Sequence, residues 1–128
     1  MRMTRVTKLD FQAAPSWEVA KARLLALKDG EDLAFAVDDD NYLVVLYIAA
    51  FGYLVSGLGV GERQYHTLIE RGLGDDPVTA FDGGNTNVYP RYVFVSNPLL
   101  LKALETYYFT GTRDKSCEWV LDRDAVYE

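Results

Sequence analysis

Hydrophobic positions recur along the chain with two different periods, and the switches between them divide it into elements. Arg2 to Phe11 alternates Val, Thr and Leu with charged residues and predicts a first strand. After Pro15, Trp17, Ala20, Leu24 and Leu27 return every three or four residues while Lys21, Arg23 and Lys28 point elsewhere, which predicts a helix over 17–28. Ser16 stands where an N-cap hydroxyl accepts from first-turn amides, and Gly30 where a left-handed backbone ends a helix. Leu33 to Val37 predicts a short strand, closed by Asp38-Asp39-Asp40. Asn41 to Gly61 then runs for 21 residues without a charge, a length that reaches across a membrane. Its four glycines, its Val, Ile and Tyr content and its flanks, which lack a basic anchor, favour two buried antiparallel strands instead. These run from Tyr42 to Ile48 and from Phe51 to Leu58, joined by a tight turn.

Tyr65 to Arg71 and Val78 to Asp82 predict two more strands around the turn-forming stretch Gly72 to Pro77, with a helix as the alternative for Glu62 to Arg71. Gly83-Gly84-Asn85 is a further turn and Tyr92 to Val95 a short strand. Asn97 is placed to cap a second helix, with Pro98 at the first helical position, where a missing N–H does no harm. Leu99, Leu100, Ala103, Leu104, Tyr107 and Tyr108 give that helix a broad apolar face, and Gly111 stops it. Ser116 to Leu121 predicts a closing strand that contains Cys117 and buries most of Trp119. The order implies one α+β domain over residues 1–128, an antiparallel sheet of about six to eight short strands with two helices packed on it.

Composition narrows the function. The 128 residues are 49% hydrophobic and carry a net charge of −6, which argues against nucleic acid as a direct ligand and for a basic macromolecule as partner. The charge is concentrated. From Asp29 to Asp82 eleven acidic residues face only Arg63 and Arg71, a net charge of −9, while the remainder carries +3. The acids placed in turns, Asp38, Asp39, Asp40, Glu62, Asp75, Asp76 and Asp82, are the candidate partner-binding residues, and the nine Tyr, two Trp and six Phe are a class that anchors interfaces. A single cysteine excludes an internal disulfide and fits a reducing cytoplasm, and Met1 to Asp10 has no apolar run of signal-peptide length.

Catalytic signatures are weak. Gly57-Leu58-Gly59-Val60-Gly61 lacks the Lys-Ser/Thr of a phosphate loop, and Glu62 would repel phosphate. The triple Asp lacks the glycine and distal glutamate of a calcium loop. His66 is the only histidine, so a histidine-rich metal site is excluded; it reads as a structural residue inside a strand, and Cys117 as a small buried thiol. A small enzyme or metal-binding domain using His66 and Cys117 is the alternative reading, and a generic protein-interaction adaptor another. No cofactor and no metal are expected.

The C-terminal half carries Phe81-Asp82-Gly83-Gly84-Asn85-Thr86-Asn87-Val88-Tyr89-Pro90, then a helix closing on Phe109-Thr110-Gly111-Thr112-Arg113, then Cys117-Glu118-Trp119. This order resembles immunity protein family one of bacterial polymorphic toxin systems: Gly-Gly, a proline six residues on, a helix ending in aromatic-x-Gly-x-Arg, and a terminal strand with Trp. The resemblance covers about residues 43 to 120 and is best from Gly83 to Trp119. Thr86 and Val88 stand where the family tends to have Trp and Glu, and Asp114 where it favours proline. The resemblance implies a cytoplasmic α+β protein that binds and neutralises a cognate toxin domain; from the residues themselves a monomer or weak dimer is expected, without catalysis and without direct contact to nucleic acid or membrane. Toxins paired with the family include nucleic-acid deaminases and other nucleic-acid-attacking domains. Gly83, Gly84, Pro90, Gly111, Arg113 and Trp119 would then be scaffold, with contact left to the acidic turns.

Overall fold

Two antiparallel sheets and two helices are described by the computed structural model, which covers residues 3–82 and 84–127; Gly83 and the side chain of Asp82 lie outside the described residues. In chain order the elements are β1 (Lys8–Leu9), β2 (Gln12–Ala13), α1 (Trp17–Leu25), β3 (Asp32–Asp38), β4 (Asn41–Ile48), β5 (Gly52–Leu58) and β6 (His66–Ile69). They are followed by β7 (Pro77–Asp82), β8 (Asn85–Pro90), β9 (Phe94–Val95), α2 (Asn97–Thr110) and β10 (Glu118–Leu121). The larger sheet has the order β10-β6-β5-β4-β3-β1-β2, with β9 sharing an edge of β5 with β6, and β7 pairs only with β8.

The charge-free run forms the centre of this sheet as two antiparallel strands, in register from Tyr42↔Leu58 to Ile48↔Gly52. Strand alternation sends its side chains into two separate cores. Leu43, Val45, Tyr53 and Val55 join Leu33, Phe35 and Leu68 under the helices. On the other face Leu54 and Ile69 pack with Val93, Phe94, Tyr89 and Ala80 beneath the β7–β8 hairpin. The helices dock as their periodicity predicts: Trp17, Ala20 and Leu24 of α1 and Leu100, Ala103, Leu104, Tyr107 and Tyr108 of α2 are buried. The rings of Trp17 and Tyr108 meet at 5.5 Å between centroids. Ser16 caps α1 by accepting from Val19 N at 3.3 Å, and Gly111 ends α2 with φ +71.

Several elements differ from expectation, each for a tertiary reason. The N-terminal strand shrinks to Lys8–Leu9, because Arg5 and Val6 donate to the Tyr108 carbonyl at the end of α2. Asp10 and Phe11 then form a tight turn with φ +48 and +67. α1 stops at Leu25, three residues short of Lys28, since Lys28 N is taken by the Glu31 carboxylate at 2.7 Å and Gly30 N by the Tyr47 carbonyl at 2.8 Å. Arg71 lies outside β6, in a short 3-10 turn, and Tyr92 lies in another, leaving only Phe94–Val95 as strand. β8 was not anticipated. Ser96, not Asn97, occupies the N-cap of α2, but its hydroxyl bonds the Glu70 carboxylate at 2.9 Å instead of the helix. The closing strand begins at Glu118, so Cys117 precedes it in a turn and is half-buried. Trp119 lies in β10 as expected and is largely, though not fully, buried against the helix-side core.

Candidate functional site

Strand directions decide where the acidic residues go. β3 delivers Asp38-Asp39-Asp40 to the turn before β4, and β5 ends at Leu58, beside Tyr42, so Glu62 follows at the same end of the sheet. β6 returns toward the opposite end, where Glu118 pairs with Ile69 and the chain continues to Asp75 and Asp76. The seven candidate acids therefore form no single patch. Asp38, Asp39 and Asp40 are exposed, with Asp40 N donating to the Asp38 carboxylate at 2.8 Å, and no cation pairs with them among the described residues. Asp75 and Asp76 are exposed as well, their carbonyls accepting from the Tyr127 hydroxyl and from Arg91 N. The side chain of Asp82 lies outside the described residues.

Glu62 is engaged inside the molecule. Its carboxylate accepts from Arg113 Nη1 at 2.9 Å, from Arg113 Nη2 and from Gly59 N at 2.7 Å. The Arg113 guanidinium holds the Glu62 carboxyl below the usual carboxylate range. A carboxylate so held is a weak proton acceptor and is not available to a partner's lysine. The guanidinium also lies 5.7 Å over the Trp119 ring, whose Nε1 donates to the Asp114 carbonyl at 3.1 Å. Asp114 organises this loop: its carboxylate accepts from Ser116 N at 2.9 Å, Ser116 Oγ at 2.6 Å and Thr106 Oγ1 at 2.9 Å, and those bonds, the Ser116 hydroxyl first, lower its pKa.

Three of the family-motif residues, Gly111, Arg113 and Trp119, thus meet around one cleft of 360 Å³ together with Glu62, Asn41 and Tyr107. Gly111 fits because a Cβ there would sit 3.2 Å from Val37 and 3.3 Å from Arg5, in a left-handed backbone. Its carbonyl accepts from Asn41 Nδ2 at 2.9 Å, and Asn41 Oδ1 accepts from the Tyr107 hydroxyl at 2.8 Å. Burial drives the Tyr107 phenol far above its ordinary pKa, so it stays a neutral donor. Gly84 and Pro90 lie elsewhere, at the tip and foot of the β7–β8 hairpin, the former with φ +86. Gly83 lies outside the described residues.

His66 and Cys117 are not brought together. Register pairs His66 with Leu121, whereas Cys117 precedes Glu118 at the other end of β6. Burial, then the Asp114 charge, raises the Cys117 thiol pKa, the opposite of what a nucleophilic thiolate needs. His66 Nδ1 is buried 3.4 Å from Glu62 Oε1 without a hydrogen bond, so this histidine is not the fully satisfied core residue that its strand position predicts. Sequence reasoning missed Asn41, Tyr107 and Asp114, whose partners are remote in the chain. It also missed a half-buried cluster in which Ser56 and Thr67 both donate to the Asp122 carboxylate. Only Asn41, a polar residue opening an otherwise apolar run, carried a signal.

Among the described residues no group of three or more His, Cys, Asp or Glu is placed to hold a metal ion, and no helix is long and apolar enough to cross a membrane. Compared with protein-family models, with curated proteins and with solved structures, the chain matches none.

Proposed function

We propose that this protein is an immunity protein: it binds a cognate toxin domain with a basic, nucleic-acid-gripping surface and neutralises it by stoichiometric occlusion, in the cytoplasm and without turnover. The observation that carries this reading is the β3–β4 turn. Three consecutive aspartates stand exposed there with no cation paired to them among the described residues, on a hairpin of the central sheet that Asn41 and Gly111 tie to the end of α2. Packing does not require such a turn, since solvated like charges repel one another and add nothing to a core. A domain that grips DNA or RNA lines its channel with Lys and Arg, and a rigid acidic tip complements that channel. The Gly-x-Arg and Trp residues act as scaffold in this reading, with Arg113 clamping the C-terminal loop to Glu62.

Production of each neighbouring gene's product that is toxic on its own, with and without this chain, tests the proposal. Growth is expected to be rescued, a one-to-one complex to be isolable, and His66→Ala and Cys117→Ser to protect as well as the natural chain. Loss of protection in either variant with the fold intact would point to catalysis instead.

A further inference from the structure

The second face of the larger sheet is only partly covered. The β7–β8 hairpin and the segment around Ala125 close it over Leu54, Ile69 and Phe94. Beyond them, Ala34 and Ala36 of β3, paired with Val44 and Tyr42 of β4, form the floor of an open groove of 550 Å³. Phe11 lines it at the β1–β2 turn, and Asp38 and Asp39 at the end of β3. Phe11 is the unusual residue. The residue is 89% exposed and its backbone has φ +67, at the second position of a two-residue hairpin turn where glycine is the natural choice. A bulky side chain in the left-handed region is strained, and strain of this kind concentrates at functional surfaces. An aromatic ring that stands almost wholly in solvent, held beside a largely apolar floor, is built for a contact outside the chain.

We infer that this groove docks an extended, lysine- or arginine-bearing segment of a protein partner, whose apolar side chains pack between Phe11 and Val44 while its cations meet Asp38 and Asp39. Charge selects this occupant. Among the described residues Lys8 is the one cation lining the groove, against two aspartates that pair with no cation, and the chain as a whole carries −6. A second copy would bring the same aspartates face to face, and an anionic lipid surface or nucleic acid would be repelled. The inference rests on the toxin-binding reading above for the identity of the partner, and it can fail independently of it.

The test uses the full chain and two probes: a labelled peptide alternating lysine and valine, with a glutamate–valine peptide as control, and, as toxin domain, a neighbouring gene's product that is toxic on its own. Fluorescence anisotropy should register binding of the lysine peptide alone, and the toxin domain should displace it. Phe11→Gly, which removes the ring and relaxes the turn, should weaken both complexes about tenfold or more while leaving the melting temperature unchanged or higher. The double variant Asp38→Asn, Asp39→Asn keeps the turn's side-chain acceptor and should weaken both as well. Failure of the lysine peptide to bind, or equal binding by Phe11→Gly, overturns the groove. A toxin domain that is bound and neutralised equally by Phe11→Gly leaves the immunity reading standing and removes this surface. The converse, a peptide held in the groove and a toxin domain ignored, removes the immunity reading and keeps the surface. A dimer in sedimentation that Phe11→Gly abolishes, or binding to anionic vesicles, assigns the groove to another occupant and overturns the proposal.

Discussion

Glu62 and Arg113 are each about three-quarters withdrawn from water, at 25% and 20% side-chain exposure, and each has the other as its charged partner. Because the guanidinium lowers the Glu62 carboxyl pKa in the folded state, the contribution of the pair is complete above the ordinary carboxylate value of about 4.3 and is lost as pH falls through the lowered one. Glu62→Gln should therefore cost about 2 kcal/mol at neutral pH, the range of a hydrogen bond to a charged group. The gap between variant and natural chain should begin to narrow in urea unfolding once pH falls below the ordinary carboxylate range, where the Glu62 carboxyl of the unfolded chain takes up its proton first. A constant gap would show that the carboxylate's charge is not what Arg113 recognises. Gly57 is constrained by space alone: a Cβ there would lie 2.0 Å from the Tyr42 carbonyl oxygen of β4. Neither backbone can give way at the centre of the sheet, so Gly57→Ala should destabilise by about 3 kcal/mol in the same assay, the upper range for overpacking. Tyr107→Phe would leave the buried Asn41 amide oxygen without its donor and should cost about 1–3 kcal/mol.

At the scale of elements, Trp119 joins β10 to the loop after α2. It packs on the helix-side core as a partly buried residue and donates its side-chain hydrogen bond to the Asp114 carbonyl. Trp119→Ala should cost about 2–3 kcal/mol, below the 3–5 kcal/mol typical of an enclosed tryptophan, and Trp119→Phe should recover most of it in thermal unfolding. A variant of natural stability that no longer binds the toxin would place Trp119 in the interface instead. What the sequence reveals of these elements follows their burial. β5 is legible because both of its faces are packed, which demands an unbroken apolar run, β4 because it pairs with β5 along its whole length, and the helices because one face is covered, which demands the 3.6-residue repeat. β8 is illegible for the same reason: Asn85, Thr86 and Val88 are exposed and its apolar residues do not alternate until Tyr89. The end of α1 and the shortness of β1 are set by bonds to Tyr47, Glu31 and Tyr108, partners that no local pattern encodes. The acidic turns are legible as turns. Their separation, and the capture of Glu62 by Arg113, depend on strand order and are not.

For the whole molecule, strand length sets how the charge acts. β5 has seven residues, so at about 3.3 Å per residue the ends of the sheet stand about 23 Å apart. That is nearly three Debye lengths of about 8 Å at physiological ionic strength, so the aspartates at 38–40 and those at 75–76 steer independently of one another. With Glu62 neutralised by Arg113, the β3–β4 turn is the strongest charge at its end of the sheet. Exposed charges act chiefly on the rate of encounter. Converting Asp38, Asp39 and Asp40 together to Asn should slow association with the toxin domain several-fold at low salt, leave dissociation less affected, and flatten the salt dependence, the two chains converging as salt rises. Asp40 N keeps a side-chain acceptor at position 38 in this variant, so the turn and the fold should persist. The pair Asp75→Asn, Asp76→Asn removes two charges of the same sign from the far end and should leave the rate nearly unchanged. Stopped-flow association of both variants across a salt series separates a localised acidic tip from a diffuse acidic field: equal slowing by the two variants would favour the field, and slowing by the 75–76 pair alone would move the interface to the other end of the sheet.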